Sequence, residues 1–124
     1  MTEKKDKKLT YAMTEDSAIK QISEANHLRK RAKSLLKSYM CDAEPLKYSD
    51  NVVDTLTEYI TNAKFYASLL EKQLFSGERV KNKKTGEDNI VVPYEDFTLI
   101  SGYLITTAAC ENELETLGIS MRLH

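Results

Sequence analysis

The chain is poor in the residues on which catalysis and cofactor binding usually rest. Its two histidines are His27 and the terminal His124, which leaves one internal imidazole with which to build a hydrolase. Its four glycines are scattered at 77, 86, 102 and 118, so no loop can cradle a phosphate. The two cysteines, Cys41 and Cys110, lie far apart and form neither a disulfide framework nor a zinc spacing. A reducing, cytoplasmic (intracellular) setting fits that pattern. The first ten residues, MTEKKDKKLT, have lysines but no apolar stretch of the kind a secretory leader needs. The longest run without a charge, Phe97 to Cys110, is too short to cross a bilayer as a helix. Eighteen basic and nineteen acidic residues give a net charge of -1, so no global field draws the chain to nucleic acid or anionic lipid. No catalytic residue, cofactor or metal is expected, and no membrane partner.

What is present is helical periodicity. The 124 residues suffice for one core, and the 41% hydrophobic fraction is too high for a disordered chain. Residues 1–13 read as a flexible Lys-rich arm, within which LTYAM at 9–13 has the composition to pair as a short strand. Residues 14–124 read as a single helical domain. Thr14, followed by Glu15 and Asp16, starts a helix over about 15–41: a hydroxyl to cap, then carboxylates at the positive dipole end. Ala18, Ile22, Ala25, Leu28, Ala32, Leu35 and Tyr39 form its apolar stripe, and Pro45 lies beyond its end.

A second helix covers about 50–75, capped by Ser49 or Asp50. Gly77 stands where a left-handed terminator is wanted. Its inward stripe is Val52, Leu56, Ile60, Ala63, Ala67, Leu70 and Leu74. A third helix covers about 94–117, with Pro93 at its start, Glu95 and Asp96 in its first turn and Gly118 at its end. Between them, β-prone runs around Val80 and at 89–92 flank Lys84-Thr85-Gly86-Glu87 and predict a hairpin over about 79–92. The expected fold is all-α: an antiparallel three-helix bundle with a small β-hairpin insertion between its second and third helices.

The helices carry more apolar faces than three rods can bury. With Leu56 at zero, Phe65 falls near about 180°, Leu69 near about 220° and Tyr66 near about 280° on the second helix. The third helix bears two stripes, one through Phe97, Ile100, Leu104 and Ala108, the other through Leu99, Tyr103, Thr106, Cys110, Leu114 and Leu117. Phe65, Tyr66, Leu69, Leu99, Tyr103 and Leu114 are therefore the candidate protein interface. The expected function is non-enzymatic: an adaptor, inhibitor or small subunit that binds a protein partner, a second copy of itself, or both.

Two alternatives rest on local motifs. Residues 28–37 contain Arg29, Lys30, Arg31, Lys33 and Lys37 and no acid. With Lys81, Lys83 and Lys84 of the hairpin, Lys30, Lys33 and Lys37 form a candidate nucleic-acid patch for an accessory protein. Glu111, Glu113 and Glu115, level with that cluster in an up-down-up bundle, would offset much of its field. The second alternative is centred on His27. Glu24-x-x-His27 has the spacing of di-metal helical bundles, although Arg31 beside the pair would repel a cation. His27-Leu28-Arg29-Lys30 resembles the histidine-phosphotransfer motif, in which a bundle histidine is followed three residues later by lysine. That resemblance implies a phosphoryl-accepting His27. The family has a small residue, usually Gly, where this chain has Arg31.

Overall fold

The computed structural model describes residues 10–41 and 50–122. The expectations for the arm over 1–9, the stop ahead of Pro45, the Ser49 cap and His124 lie outside them. In chain order the elements are β1 (Thr10–Thr14), α1 (Glu15–Cys41), α2 (Asp50–Ser76), β2 (Glu78–Lys81), β3 (Asp88–Pro93) and α3 (Tyr94–Thr116). Three helices thus accompany a small antiparallel sheet of order β1-β3-β2.

The sheet is larger than a hairpin, because residues 10–13 join it as β1 instead of forming part of an arm. β3 is central and alternates its side chains, so Ile90 and Val92 point into the core and are fully buried. Met13 lies opposite Ile90 on β1 and is buried with it. The β2–β3 turn is held by Asn82, whose side-chain oxygen accepts from the Lys84 N–H at 2.8 Å, while Gly86 takes φ +79°.

Three of the helix ends show what holds them. At the start of α1, Thr14 Oγ1 accepts from the Ser17 N–H at 3.0 Å, and Glu15 and Asp16 occupy the first turn. α3 follows Pro93 directly, so the proline precedes the helix instead of opening it. Its other end is a Schellman motif: Ile119 N–H donates to Leu114 O at 2.8 Å and Gly118 N–H to Glu115 O at 3.0 Å. Gly118 has φ +91°, and Ile119 and Leu114 are buried together.

Gly77 departs from expectation. It is not left-handed, since only Gly86 and Gly118 among the described glycines have positive φ. A glycine is needed there for room: a Cβ would collide with Gln73 O and stand 2.7 Å from Ile90 Cγ2. No basic side chain lies in the last turn of α2. Arg79 of β2 supplies the cation instead, donating to Leu74 O at 2.6 Å and Gly77 O at 2.8 Å. The same guanidinium pairs with Glu15 at 2.9 Å, tying the end of α2 to the start of α1.

α2 packs extensively on both α1 and α3, whereas α1 and α3 approach each other only slightly. The space between them is filled from both ends. At one end Met13, Ile90 and Val92 of the sheet pack with Ala18, Ile22, Ala25, Tyr66, Ala67, Leu70 and Ile100. At the other, Ile119 and Met121 of the segment after α3 pack with Leu28, Ala32, Val52, Leu56, Tyr59, Cys110 and Leu114. The side of α2 that faces this space carries tyrosines whose hydroxyls are satisfied across it. Tyr66 donates to Gln21 of α1 at 2.7 Å and Tyr59 to Glu111 of α3 at 2.9 Å.

Candidate protein-docking face

The six candidate interface residues divide in two. Tyr66 is 7% exposed and Leu114 fully buried, so both belong to the core of this chain and not to an outer face. The helical wheel misplaced them because it gives angles on one helix and not the positions of its neighbours. Leu69 is half-buried and packs against the core at the sheet end. Phe65, Leu99 and Tyr103 are brought together on the outer side of the α2–α3 seam. The rings of Phe65 and Tyr103 stack with centroids 5.5 Å apart. Phe65 is 45% and Leu99 49% exposed.

The face continues along α3, which is apolar around most of its circumference. Ile105 is 69% exposed, and Thr98, Gly102, Ala109 and Asn112 share its outward side. The wheel assigned Ile105 to neither stripe of the third helix. Its signal was the full uncharged run from Phe97 to Cys110, which leaves every outward position between those residues without a charge.

A concavity of about 530 Å³ lies between α1 and the C-terminal segment and is lined by Glu24, His27, Arg31, Met121 and Arg122 among others. Its charged groups hold the fold together. Arg31 donates to Ser120 O at 2.8 Å. Arg122 pairs with Glu24 at 3.3 Å and donates to Glu111 at 2.8 Å, joining α1 to α3. That hydrogen bond to Glu111 raises the Arg122 pKa further. The Tyr59 hydroxyl is raised well above its ordinary value, first by burial and then by the charge of Glu111. His27 is exposed on this flank with Glu24 and Arg31. Among the described residues no group of three or more histidine, cysteine or acidic side chains is placed to hold a metal ion.

The six lysines of the candidate nucleic-acid patch do not converge. Glu15 and Arg79 fix the hairpin at the first turn of α1, and Lys30 lies fifteen residues (30 - 15) further along, about 22 Å at 1.5 Å per residue. Lys81, Lys83 and Lys84 are exposed, and Lys81 lies opposite Asp88, which borders a depression with Glu15, Asp16 and Glu87. Lys30, Lys33 and Lys37 are exposed on α1. No helix among the described residues is long and apolar enough to cross a membrane.

No protein-family model, curated protein or solved structure matches the chain.

Proposed function

We propose that this chain is a non-enzymatic protein-interaction domain, an adaptor, inhibitor or small subunit, that docks other protein through the outer surface of α2 and α3. The observation that carries the reading is the exposed aromatic stack of Phe65 on Tyr103, continuous with Leu99 and Ile105 on a helix face without charge. Single exposed apolar residues are ordinary, but a contiguous aromatic and aliphatic patch in a small domain marks an interaction surface. The helices are read as an up-down-up antiparallel bundle, held open between α1 and α3 by the sheet and the C-terminal segment. A reducing cytosol is the compartment that suits the buried free thiol of Cys110.

The test is a photo-crosslinking amino acid placed at Ile105 in the native host, with Lys33 as the control position. Protein adducts at position 105 and not at 33 are expected. Absence of any adduct at 105 overturns the reading, and nucleic-acid adducts at 33 would favour the basic face of α1 instead.

A further inference from the structure

The concavity between α1 and the C-terminal segment has the make-up of a small-molecule site. Its volume of about 530 Å³ falls within the range of about 300–1,000 Å³ usual for such sites. Among the described residues, Leu28, Leu35 and Met121 give it an apolar wall, and His27, Arg31 and Ser34 bring polar groups to it. The last three share one flank of α1, because positions four and then three residues apart fall on the same side of a helix. The side chains of His27 and Ser34 make no hydrogen bond among the described residues, so both are unengaged.

Arg31 is the charge in this concavity that lacks an opposite. Glu24 pairs with Arg122 at 3.3 Å, and Arg122 also donates to Glu111 at 2.8 Å. Arg31 donates to a neutral acceptor, Ser120 O, at 2.8 Å and forms no ion pair among the described residues. Its Nε is buried and has no hydrogen-bond partner there. A half-buried guanidinium held in this way is costly, since its charge has left water without an opposite charge to meet it. A bound anion would offset that cost. The buried Nε is out of a ligand's reach, so the contact falls to the Nη groups.

The neighbouring charges limit what the anion can be. Glu24, Glu111, Arg31 and Arg122 together are neutral, which disfavours a polyanion. A single carboxylate at the Ser34 end avoids the acids, because Ser34 lies ten residues (34 - 24), about 15 Å, along α1 from Glu24. That end also lies within residues 28–37, which contain five basic residues and no acid.

We propose that this concavity binds a small organic acid. One carboxylate accepts from the Arg31 Nη groups and the Ser34 hydroxyl, and an apolar body lies along Leu28, Leu35 and Met121. The site is separate from the docking face on α2 and α3, and neither depends on the other.

Titration of the full isotope-labelled chain with octanoate, followed by NMR, tests this. Saturable shifts are expected at the Met121 methyl and the Arg31 Nε–H, while the Ile105 methyl stays still. Octanol and octylamine, with the same apolar body, should bind about tenfold more weakly or worse. Arg31→Gln should weaken octanoate by about tenfold or more, although it also loses the bond to Ser120. Ser34→Glu avoids that ambiguity. Ser34 is exposed, and a glutamate there sets an internal carboxylate three residues from Arg31. The variant should melt no lower than wild type yet bind octanoate about tenfold more weakly or worse. A peptide ending in a free leucine carboxylate, with its amidated form as control, distinguishes the two sources of such a group. Carboxylate-dependent binding of either probe supports the site: tighter peptide assigns it to a protein chain end, tighter octanoate to a free acid. No saturable shift, equal binding of octanol, tighter binding of inorganic phosphate, or indifference to Ser34→Glu overturns the proposal.

Discussion

Phe65 of α2 lies over Tyr103 of α3 with an interplanar angle of 30°, and this pair closes the outer side of the seam between the two helices. The stack is half in water, so it contributes far less to folding than the side chains behind it. Phe65→Ala is expected to cost about 1 kcal/mol, mostly the ring pairing. Leu70→Ala, at a fully buried position, is expected to cost about 2–5 kcal/mol through lost transfer energy and a residual cavity. Urea denaturation followed by circular dichroism separates the two. Equal losses would place Phe65 in the core and remove the main support for an outer docking face.

The C-terminal segment gives a second pair of unequal effects. Met121 is 3% exposed and fills the space between α1 and α3, while Arg122 bridges Glu24 and Glu111 from a half-exposed position. Met121→Ala should therefore destabilise by about 2–4 kcal/mol, and Arg122→Ala by about 1 kcal/mol or less, because solvent screens its pairs. The deficit of the Arg122 variant should shrink as salt is added, because screening weakens the wild-type bridges that it lacks, whereas the deficit of the Met121 variant should not depend on salt. Denaturation midpoints of both variants at low and high salt check the order and the salt response.

α1 and α2 are legible because each carries an apolar stripe with a 3.6-residue period, and α3, apolar on most sides, because it has a recognisable beginning and end. Thr14 with Glu15 and Asp16 likewise marks the beginning of α1, and Gly118 is the end of α3. The hairpin was legible from Lys84-Thr85-Gly86-Glu87 between two β-prone runs. What the sequence could not supply was the arrangement of the rods. Tyr66 and Leu114 read as outward from their angles on single helices, whereas Tyr66 reaches across to Gln21 of α1 and Leu114 is covered by Ile119 and Met121 of the C-terminal segment. Ile105 was overlooked for the complementary reason, that a helix apolar on most sides has no single stripe to follow. Gly77 shows the same limit in part: of the two groups a Cβ would meet, Gln73 O is local, but Ile90 is thirteen residues away in sequence (90 - 77).

Gly77 and Gly86 accordingly differ in what a side chain would do to them. Gly77→Ala forces a Cβ against Gln73 O and Ile90, with backbone on one side that cannot yield cheaply. A loss of about 1–3 kcal/mol is expected. Gly86→Ala meets no neighbour within 4 Å, so its cost is the left-handed backbone alone, about 1 kcal/mol. Asn at 86 tolerates that backbone, whereas Asn at 77 collides. Thermal melts of the alanine and asparagine variants should show rescue by Asn at 86 only.

Stability should fall in alkali for two identifiable reasons. Burial, and then the charges of Glu58, Glu113 and Glu111, push the Cys110 thiol from its ordinary value of about 9 up to about 11. Burial and Glu111 likewise raise Tyr59 above its ordinary value of about 10. Both groups are neutral when protonated and keep their protons longer in the folded chain. Below pH 9 folded and unfolded forms bind the same protons at these sites, so the contribution is fully present. Above pH 9 the unfolded chain releases the Cys110 proton while the folded chain retains it, and stability declines until the folded thiol itself ionises near about 11. Tyr59 adds the same sign of slope from pH 10 upward. Each group steepens the decline by at most about 1.4 kcal/mol per pH step. Cys110→Ala should therefore flatten the curve from pH 9, and Tyr59→Phe only from pH 10, whatever each costs at neutral pH. Urea midpoints measured at pH 8, 9, 10 and 11 give the slopes. Curves for both variants running parallel to the wild type across that range would mean that neither group is buried and protonated in the folded chain.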